Sequence, residues 1–246
     1  MIQVIRNAER YHFENDWLST YWHFSFDHYY DPANVSFGAL RVFNDDVIRP
    51  GGGFPQHGHR EMEIVTYVIE GQLKHRDDLG NVGAISPGEI QRMSAGTGIR
   101  HSEYNASREK PVHLVQLWIL PAAKNLKPSW EQRRFEPGDR TGKLLPIAIP
   151  AARAGKQANG TVRIHQDATI YTALLRPPSP VLGTRNDSAT HELAAGRRAY
   201  LFLIDGELRV NGETLRASDQ ARITAEPALQ LAAGSAAADF LLLDLP

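Results

Sequence analysis

Short apolar segments, separated by turn-forming residues, run along the whole chain. Four of them are rich in β-branched, aromatic and other apolar residues, and Gly, Pro, Asn and Asp lie between them. Long patterns with the 3.6-residue period of a helix are scarce, and a short helix near residues 189–196 is the one exception considered. The pattern predicts an all-β protein, built as a sandwich or a barrel. The four clearest segments are residues 35–48, 63–78, 112–121 and 144–149.

A weak internal repeat suggests that the chain holds two copies of one β module. Residues 64–93 are echoed by residues 199–223, and both segments run from an apolar strand through an acidic residue and a glycine to a second short strand. Gly71 and Gly206 are the matching glycines. Chance is the alternative, because β-hairpins resemble one another. We expect an N-terminal domain over residues 1–130 and a C-terminal domain over residues 131–246, with the polar stretch after residue 121 connecting them.

Composition and charge narrow the function classes. The 246 residues carry 27 Lys and Arg against 28 Asp and Glu, a formal net charge of −1, so no basic excess indicates nucleic acid or an anionic membrane. The absence of cysteine excludes disulfides and thiolate metal sites, and it fits a reducing cytosol. We find neither an apolar signal-peptide core nor a run of about 18 apolar residues. A cytoplasmic protein is therefore expected, and a monomer is mildly preferred.

Histidines and carboxylates alternate in two places. The stretch GGGFPQHGHREMEIVTYVIEG contains His57 and His59, and Glu61 and Glu63 continue the alternation. The stretch SAGTGIRHSEYN places His101 two residues before a glutamate, Glu103. Side chains at i and i+2 of a strand point to the same face, so each set is expected to share a face. Two neighbouring strands could bring most of these groups to one point.

Imidazole and carboxylate donors together suit Fe, Mn, Ni, Zn or Cu, whereas Ca would require oxygen ligands only. An isolated H-x-H is more often surface decoration or a hydrogen-bonded core histidine. Its pairing with a second H-x-E, each preceded by glycines, favours a metal site. The adjacent pair Asp45 and Asp46 has the composition of a turn and not of a site. The four tryptophans are expected in the core or at a domain interface. The remaining histidines are expected to be structural or to lie at a rim: His12, His23, His28, His75, His113, His165 and His191.

The two histidine motifs resemble those of the cupins. The matching positions are Gly51, His57, His59 and Glu63 in the first motif and Gly98, His101 and Asn105 in the second. Two positions depart from the general pattern. Gly71 lies one residue beyond the usual spacing, and Gly96 stands where a proline is expected.

These departures point to one branch, because FPQHGHREMEIVTYVIEG and MSAGTGIRHSEYN resemble the pirin family. So do WHFSFDHYYDP, ALRVFNDDVI and WEQRRFEP, and the resemblance extends over essentially the whole chain. It is greatest to the bacterial pirin-like quercetin 2,3-dioxygenases. Pirins are bicupins, so the resemblance implies two tandem cupin β-barrels, in agreement with the repeat.

The resemblance also implies the site. In pirins one metal ion is held in the N-terminal cupin by three histidines and a glutamate, which map here to His57, His59, His101 and Glu103. Glu103 is then preferred over Glu63 as ligand and catalytic base. Glu63 and Asn105 are expected as hydrogen-bond partners beside the ligands. The C-terminal copy has no H-x-H, so a structural domain without metal is expected there.

The implied reaction is the oxygenolytic cleavage of a flavonol by O2, which releases CO and a depside. One divalent metal is implied, with Fe(II) preferred and Ni, Mn, Zn, Cu or Co as alternatives that the ligand set also suits. The metal would stabilise the anion of the flavonol 3-hydroxyl. Two other hypotheses stay open. One is a non-enzymatic regulator that senses redox state through bound iron and docks on a partner protein, and the other is a cupin dioxygenase with a different substrate.

Overall fold

The structure is a computed structural model that describes residues 1–153, 160–178 and 186–246. These ranges contain no α-helix, and three single-turn 3₁₀ helices cover Asn7–Glu9, Pro137–Arg140 and Ala151–Arg153. In the same ranges, no helix has the length and apolar character needed to cross a membrane. The strands are β1 (Ile2–Ile5), β2 (Tyr11–Glu14), β3 (Leu18–Trp22), β4 (Leu40–Ile48), β5 (Gly53–His59), β6 (Glu63–Glu70), β7 (Leu73–Asp77), β8 (Val82–Ile85), β9 (Glu89–Ser94), β10 (Ile99–Asn105), β11 (Val112–Ile119), β12 (Ser129–Arg134), β13 (Leu145–Pro150), β14 (Val162–Ile164), β15 (Thr169–Leu175), β16 (Ser188–Glu192), β17 (Arg198–Asp205), β18 (Glu207–Val210), β19 (Glu213–Arg216), β20 (Gln220–Thr224), β21 (Ala228–Ala233) and β22 (Ala238–Leu245).

The chain forms two compact units that interleave along the sequence. The N-terminal unit consists of residues 11–135 and 150–167, and the C-terminal unit consists of residues 1–10, 136–149 and 168–246. The first ten residues belong to the C-terminal unit because β1 pairs with β20 there. The all-β class and the two cupin domains are confirmed. A domain boundary at residue 130 stays a prediction.

The N-terminal unit is built from two antiparallel sheets. The larger has the strand order β12-β9-β6-β11-β4-β3-β2, and the smaller has the order β5-β10-β7-β8. Strand β6 is buried over its first six residues, as expected for an apolar run covered on both faces. Strand β10 instead alternates, with His101, Glu103 and Asn105 buried and Arg100 and Tyr104 exposed. The alternation therefore turns the second histidine motif toward the interior.

The repeated glycines have a structural reason. Gly71 joins β6 to β7 with φ of +79°, and Gly206 joins β17 to β18 with φ of +87°. A Cβ atom at Gly71 would lie 2.6 Å from the backbone oxygen of Pro111, and one at Gly206 would meet the backbone oxygen of Ala237. Both positions need glycine for its left-handed conformation and for its lack of a side chain.

The C-terminal unit repeats the two-sheet plan around an apolar interior. Its sheets contain the strand orders β1-β20-β17-β22-β15-β13 and β16-β21-β18-β19. Leu201, Leu208, Leu231 and Phe240 belong to one fully buried apolar cluster between them. The short helix considered near residues 189–196 is wrong. Residues 188–192 form strand β16 because they pair with β21.

Two acidic residues that resemble a turn lie inside a strand. Asp45 and Asp46 occupy the second half of β4, which pairs with β3 on one side and β11 on the other. Their exposed fractions are 6% and 3%. The expectation of a turn is wrong because pairing with two neighbours outweighs the local preference of Asn-Asp-Asp for a loop.

Candidate metal centre

Pairing between β5 and β10 brings the two histidine motifs together. His101 lies opposite His57, and Ile99 lies opposite His59. One nitrogen from each of the three imidazoles lies within 4.8 Å of the others, and the Nε2 atoms of His57 and His101 are 3.1 Å apart. Two nitrogens at that distance can face one shared cation, and three neutral imidazoles are the nitrogen-rich set that divalent transition metals favour.

Glu103 adds a carboxylate at the edge of this cluster. The register of β10 against β5 shifts between His101 and Glu103, and Glu103 forms a second close group with His101 and His75. Its Oε2 accepts a hydrogen bond of 2.8 Å from Gln116 Nε2, while its Oε1 has no hydrogen-bond partner among the described residues. A carboxylate oxygen that is buried without a partner is costly unless something positive meets it. The donor set and this oxygen fit a divalent metal.

Burial keeps two imidazoles of the cluster, those of His59 and His101, neutral. The pKa of His59 is lowered to about 3, mainly by burial and then by the neighbouring His101 and His57. The pKa of His101 is lowered to about 3 by burial, then by His57 and His75. At neutral pH these two rings therefore keep a lone pair for a metal.

A histidine of strand β7, His75, lies next to the ring nitrogen of His101 that does not face His57. His75 is 1% exposed, and its Nδ1 lies 3.4 Å from His101 Nδ1. Its Nε2 lies 3.4 Å from Asp77 Oδ2, and the Asp77 carboxylate also accepts hydrogen bonds from the backbone N–H groups of Leu79 and Asn81. One set of histidine tautomers allows all of these hydrogen bonds between Asp77, His75 and His101 to form. His75 donates to Asp77, His101 donates from Nδ1 to His75, and the Nε2 of His101 is left to face His57.

His75 was not predicted as a site residue, although the sequence contains a pattern that points to it. His75 and Asp77 alternate in one strand as His101 and Glu103 do, and the pairing of β7 with β10 places His75 opposite Glu103. The ring of Trp130 stacks on that of His75, with centroids 5.9 Å apart. What the sequence did not show is which strand lies beside β10.

The expected continuation of the first histidine face through Glu61 and Glu63 is wrong. Glu61 has φ of +52°, which breaks the alternation between β5 and β6, and its carboxylate accepts from the backbone N–H of Asn125. Glu63 begins β6 in the other sheet, where its Oε2 accepts from Ser94 Oγ at 2.9 Å and from the backbone N–H of His165 at 3.2 Å. Burial raises the pKa of Glu63.

Asn105 braces the turn that follows β10. Its Nδ2 donates to the backbone oxygens of Ile48 and Lys110, and its Oδ1 accepts from the backbone N–H of Ser107. In the part of the chain that the structure describes, no hydrogen bond joins Asn105 or Glu63 to the three histidines or to Glu103.

A cavity of about 470 Å³ opens beside the cluster, between the two sheets of the N-terminal unit. Its volume lies in the range of small-molecule sites. His57, His59 and Glu103 form part of its wall. Six aromatic rings line this cavity: Phe13, Trp17, Trp22, Phe26, Phe54 and Trp118. The three tryptophans among them are buried in the core or pack against it, as expected, and they form the cavity wall at the same time.

The C-terminal unit places its histidine differently. His191 Nε2 lies 3.0 Å from Asp244 Oδ2, and Arg197 also bonds to that carboxylate. Among the described residues of this unit, no group of three potential metal ligands comes together. His191 is thus half-buried and ion-paired with Asp244. A C-terminal domain without metal stays a prediction.

Comparison with known proteins covers both units. Residues 4–119 match the family described as Pirin, and residues 152–245 match the family described as Quercetinase C-terminal cupin domain. The quercetin 2,3-dioxygenase of Escherichia coli strain K12 is 42% identical over 247 residues, covering 100% of this chain and 99% of that protein. A pirin-like protein of Caulobacter vibrioides is 40% identical over 220 residues, which is 89% of each chain.

A solved structure shows the same fold. The crystal structure of the bacterial pirin YhhW from Escherichia coli in complex with nickel(II) superposes with a TM-score of 0.89 at 40% identity, covering 100% of this chain and 99% of that chain. With two cupin domains, a histidine cluster in the first of them, and relatives of this similarity over its full length, the chain belongs to the pirin family.

Proposed function

We propose that this pirin is a metal-dependent quercetin 2,3-dioxygenase, which cleaves a flavonol with O2 and releases CO and a depside. The observation that carries the proposal is a cluster of three imidazoles, two of which, His57 and His59, line an aromatic cavity together with the Glu103 carboxylate. The 42% identity to a quercetin 2,3-dioxygenase over the full chain supports the same reaction. The six aromatic side chains suit a flat aromatic substrate, which they would hold against the cluster and shield from water.

His57, His59, His101 and Glu103 are the residues that would hold the metal. When bound, a divalent ion supplies positive charge that stabilises the deprotonated 3-hydroxyl of the flavonol. Fe(II) is the metal we propose, and the nickel(II) complex of the Escherichia coli pirin makes Ni(II) the first alternative to test. The His75–Asp77 pair would fix the orientation of the His101 ring.

Glu103 is the base we propose for the 3-hydroxyl. It is 2% exposed, so little water competes for it, and its Oε1 has no hydrogen-bond partner among the described residues, so the carboxylate can accept the proton. Gln116 holds the other oxygen, and Gln116 is itself held by the indole N–H of Trp118 at 3.0 Å. These two hydrogen bonds hold the Glu103 carboxylate in place in the cavity wall. The carboxylate therefore needs little reorganisation when the substrate binds.

The test is O2 uptake, measured together with the loss of flavonol absorbance. Protein loaded anaerobically with Fe(II), Ni(II), Mn(II) or Cu(II) is mixed with quercetin and O2, and CO is measured as product. We expect turnover that requires metal. His101→Ala should lose metal and turnover together, and Glu103→Gln should lose turnover more than metal.

His191→Ala is the matched control, since it removes a half-buried histidine outside the cluster, and it should keep full activity. Full turnover by His101→Ala would remove the cluster from the mechanism. Tightly bound metal without turnover on any flavonol would overturn the dioxygenase proposal. It would favour a regulator that docks on a partner protein, or a different substrate.

A further inference from the structure

Two polar side chains of β4 share a face of the cavity wall. Asn44 and Asp46 are two positions apart in the strand, so their side chains point to the same face. Both line the cavity, and their exposed fractions are 5% and 3%. Strand pairing places Asn44 between Trp22 of β3 and Gln116 of β11. Because Gln116 bonds to Glu103, this polar patch adjoins the carboxylate of the candidate metal centre.

The patch leaves hydrogen-bonding capacity unused. Asn44 Oδ1 is buried and has no hydrogen-bond partner among the described residues. Burying such a carbonyl without a partner costs roughly 1–3 kcal/mol, so its place in the wall of a ligand-sized cavity needs a reason. A hydroxyl donor on a ligand would satisfy it.

The neighbouring carboxyl can act as donor or acceptor. The pKa of Asp46 is raised from 3.8 to about 7, first by burial and then by the nearby charges of Asp45 and Glu103. A carboxyl that shares its proton near neutral pH can donate to a phenolic oxygen or accept from its hydroxyl. Together the amide and the carboxyl match the hydroxyl group, which is both donor and acceptor.

We propose that Asn44 and Asp46 form a subsite that binds a hydroxyl of the flavonol other than the reacting 3-hydroxyl, so that the preferred substrates are polyhydroxylated flavonols. The inference rests on the proposed function, because it takes a flavonol as the occupant of the cavity. A site that hydrogen-bonds a substrate hydroxyl discriminates strongly against an analogue without it, since the buried partners are then left unpaired.

The test compares two ligands and needs no turnover. Metal-loaded protein is titrated under anaerobic conditions with quercetin and with 3-hydroxyflavone, which has only the reacting hydroxyl. Trp22 and Trp118 line the cavity, so quenching of tryptophan fluorescence reports binding. The measured quantity is the ratio of the Kd of 3-hydroxyflavone to the Kd of quercetin. In the wild type we expect a ratio of about ten or more, from one or two hydrogen bonds of ordinary strength.

Asn44→Leu and Asp46→Leu should each lower that ratio by about threefold or more, toward one, because each removes hydrogen-bonding atoms without adding a charge. Asp46→Asn should restore most of the ratio, since an amide also donates and accepts. If Asp46→Leu does not fold, Asn44→Leu carries the test. Asp45→Asn is the control. Asp45 lies on the same strand but bonds to His113 at 2.7 Å, so its ratio should stay that of the wild type.

The outcomes separate this inference from the proposed function. An unchanged ratio in folded Asn44→Leu and Asp46→Leu overturns the subsite, even if both ligands bind more weakly, because a structural effect weakens both alike. A wild type that binds no flavonol overturns the proposed function and the subsite with it. Turnover of quercetin by a wild type whose ratio is near one overturns the subsite alone.

Discussion

Replacing the buried carboxyl of Asp46 by an amide should change how stability depends on pH. In the folded protein the pKa of Asp46 is raised to about 7 from the ordinary 3.8, with burial as the main cause. Between these two values the folded state holds a proton that the unfolded state has released. The free energy of unfolding therefore falls as pH rises from about 4 to 7 and stays level above 7. The amide of Asp46→Asn does not titrate between pH 4 and 7, so the variant lacks this loss of stability.

The size of the effect follows from the shift. Each pH unit inside this window changes the free energy of unfolding by about 1.4 kcal/mol. Between pH 5 and pH 8 about two such units lie below the folded pKa, so Asp46→Asn should gain about 3 kcal/mol relative to wild type. Asp46 is 3% exposed, so solvent screening reduces this figure little. The lowered pKa values of His59 and His101 give a slope of the opposite sign below pH 6.5, but both proteins share it.

The assay is urea unfolding of both proteins at pH 5, 6, 7 and 8, at constant ionic strength and with a chelator present to exclude metal linkage. Equal m-values at each pH would show that the same transition is compared. The difference in free energy of unfolding between variant and wild type should grow from pH 5 to pH 7 and then level off. A difference that is constant from pH 5 to pH 8 would refute the raised pKa.

Three further predictions follow from the contacts described. His75→Phe should weaken Ni(II) binding by about 10–100-fold in equilibrium dialysis, because the His101 ring loses its orienting partner; unchanged affinity would contradict that role. Gln116→Leu should lower kcat for quercetin by about tenfold with metal content retained, since Glu103 loses its brace, whereas a wild-type kcat would show that the brace is unimportant. Phe240→Ala should lower the free energy of unfolding by about 3–5 kcal/mol in urea, because it leaves a cavity in the buried apolar cluster, and a loss below about 1 kcal/mol would argue against that packing.

Strand alternation accounts for the part of the site that the sequence predicts. It places His57 with His59 and His101 with Glu103, each on one face, and this holds in β5 and β10. The register that sets His101 opposite His57 depends on tertiary pairing, so local pattern does not predict it. The family resemblance implied only that the two motifs share one metal. Alternation also fails where the chain leaves the strand, as the left-handed conformation of Glu61 shows.

The polar residues of β4 show why the rest could not be predicted. Asn44, Asp45 and Asp46 have the composition of a turn, and a strand that buries them runs against local preference. Departures of this kind are expected at functional sites, where a buried polar group has a use that compensates for its cost. For the tryptophans the sequence correctly predicts packing in or against the core, but not that three of them also line the cavity, because a cavity wall and a core have the same composition.

The proposed function requires that His57, His59, His101 and Glu103 together hold a single divalent metal. The most direct test is anaerobic equilibrium dialysis of Fe(II) and Ni(II) against the wild type, His101→Ala and His191→Ala. We predict one metal ion per chain for the wild type and for His191→Ala, and little or none for His101→Ala. Equal metal content in all three proteins would contradict the claim.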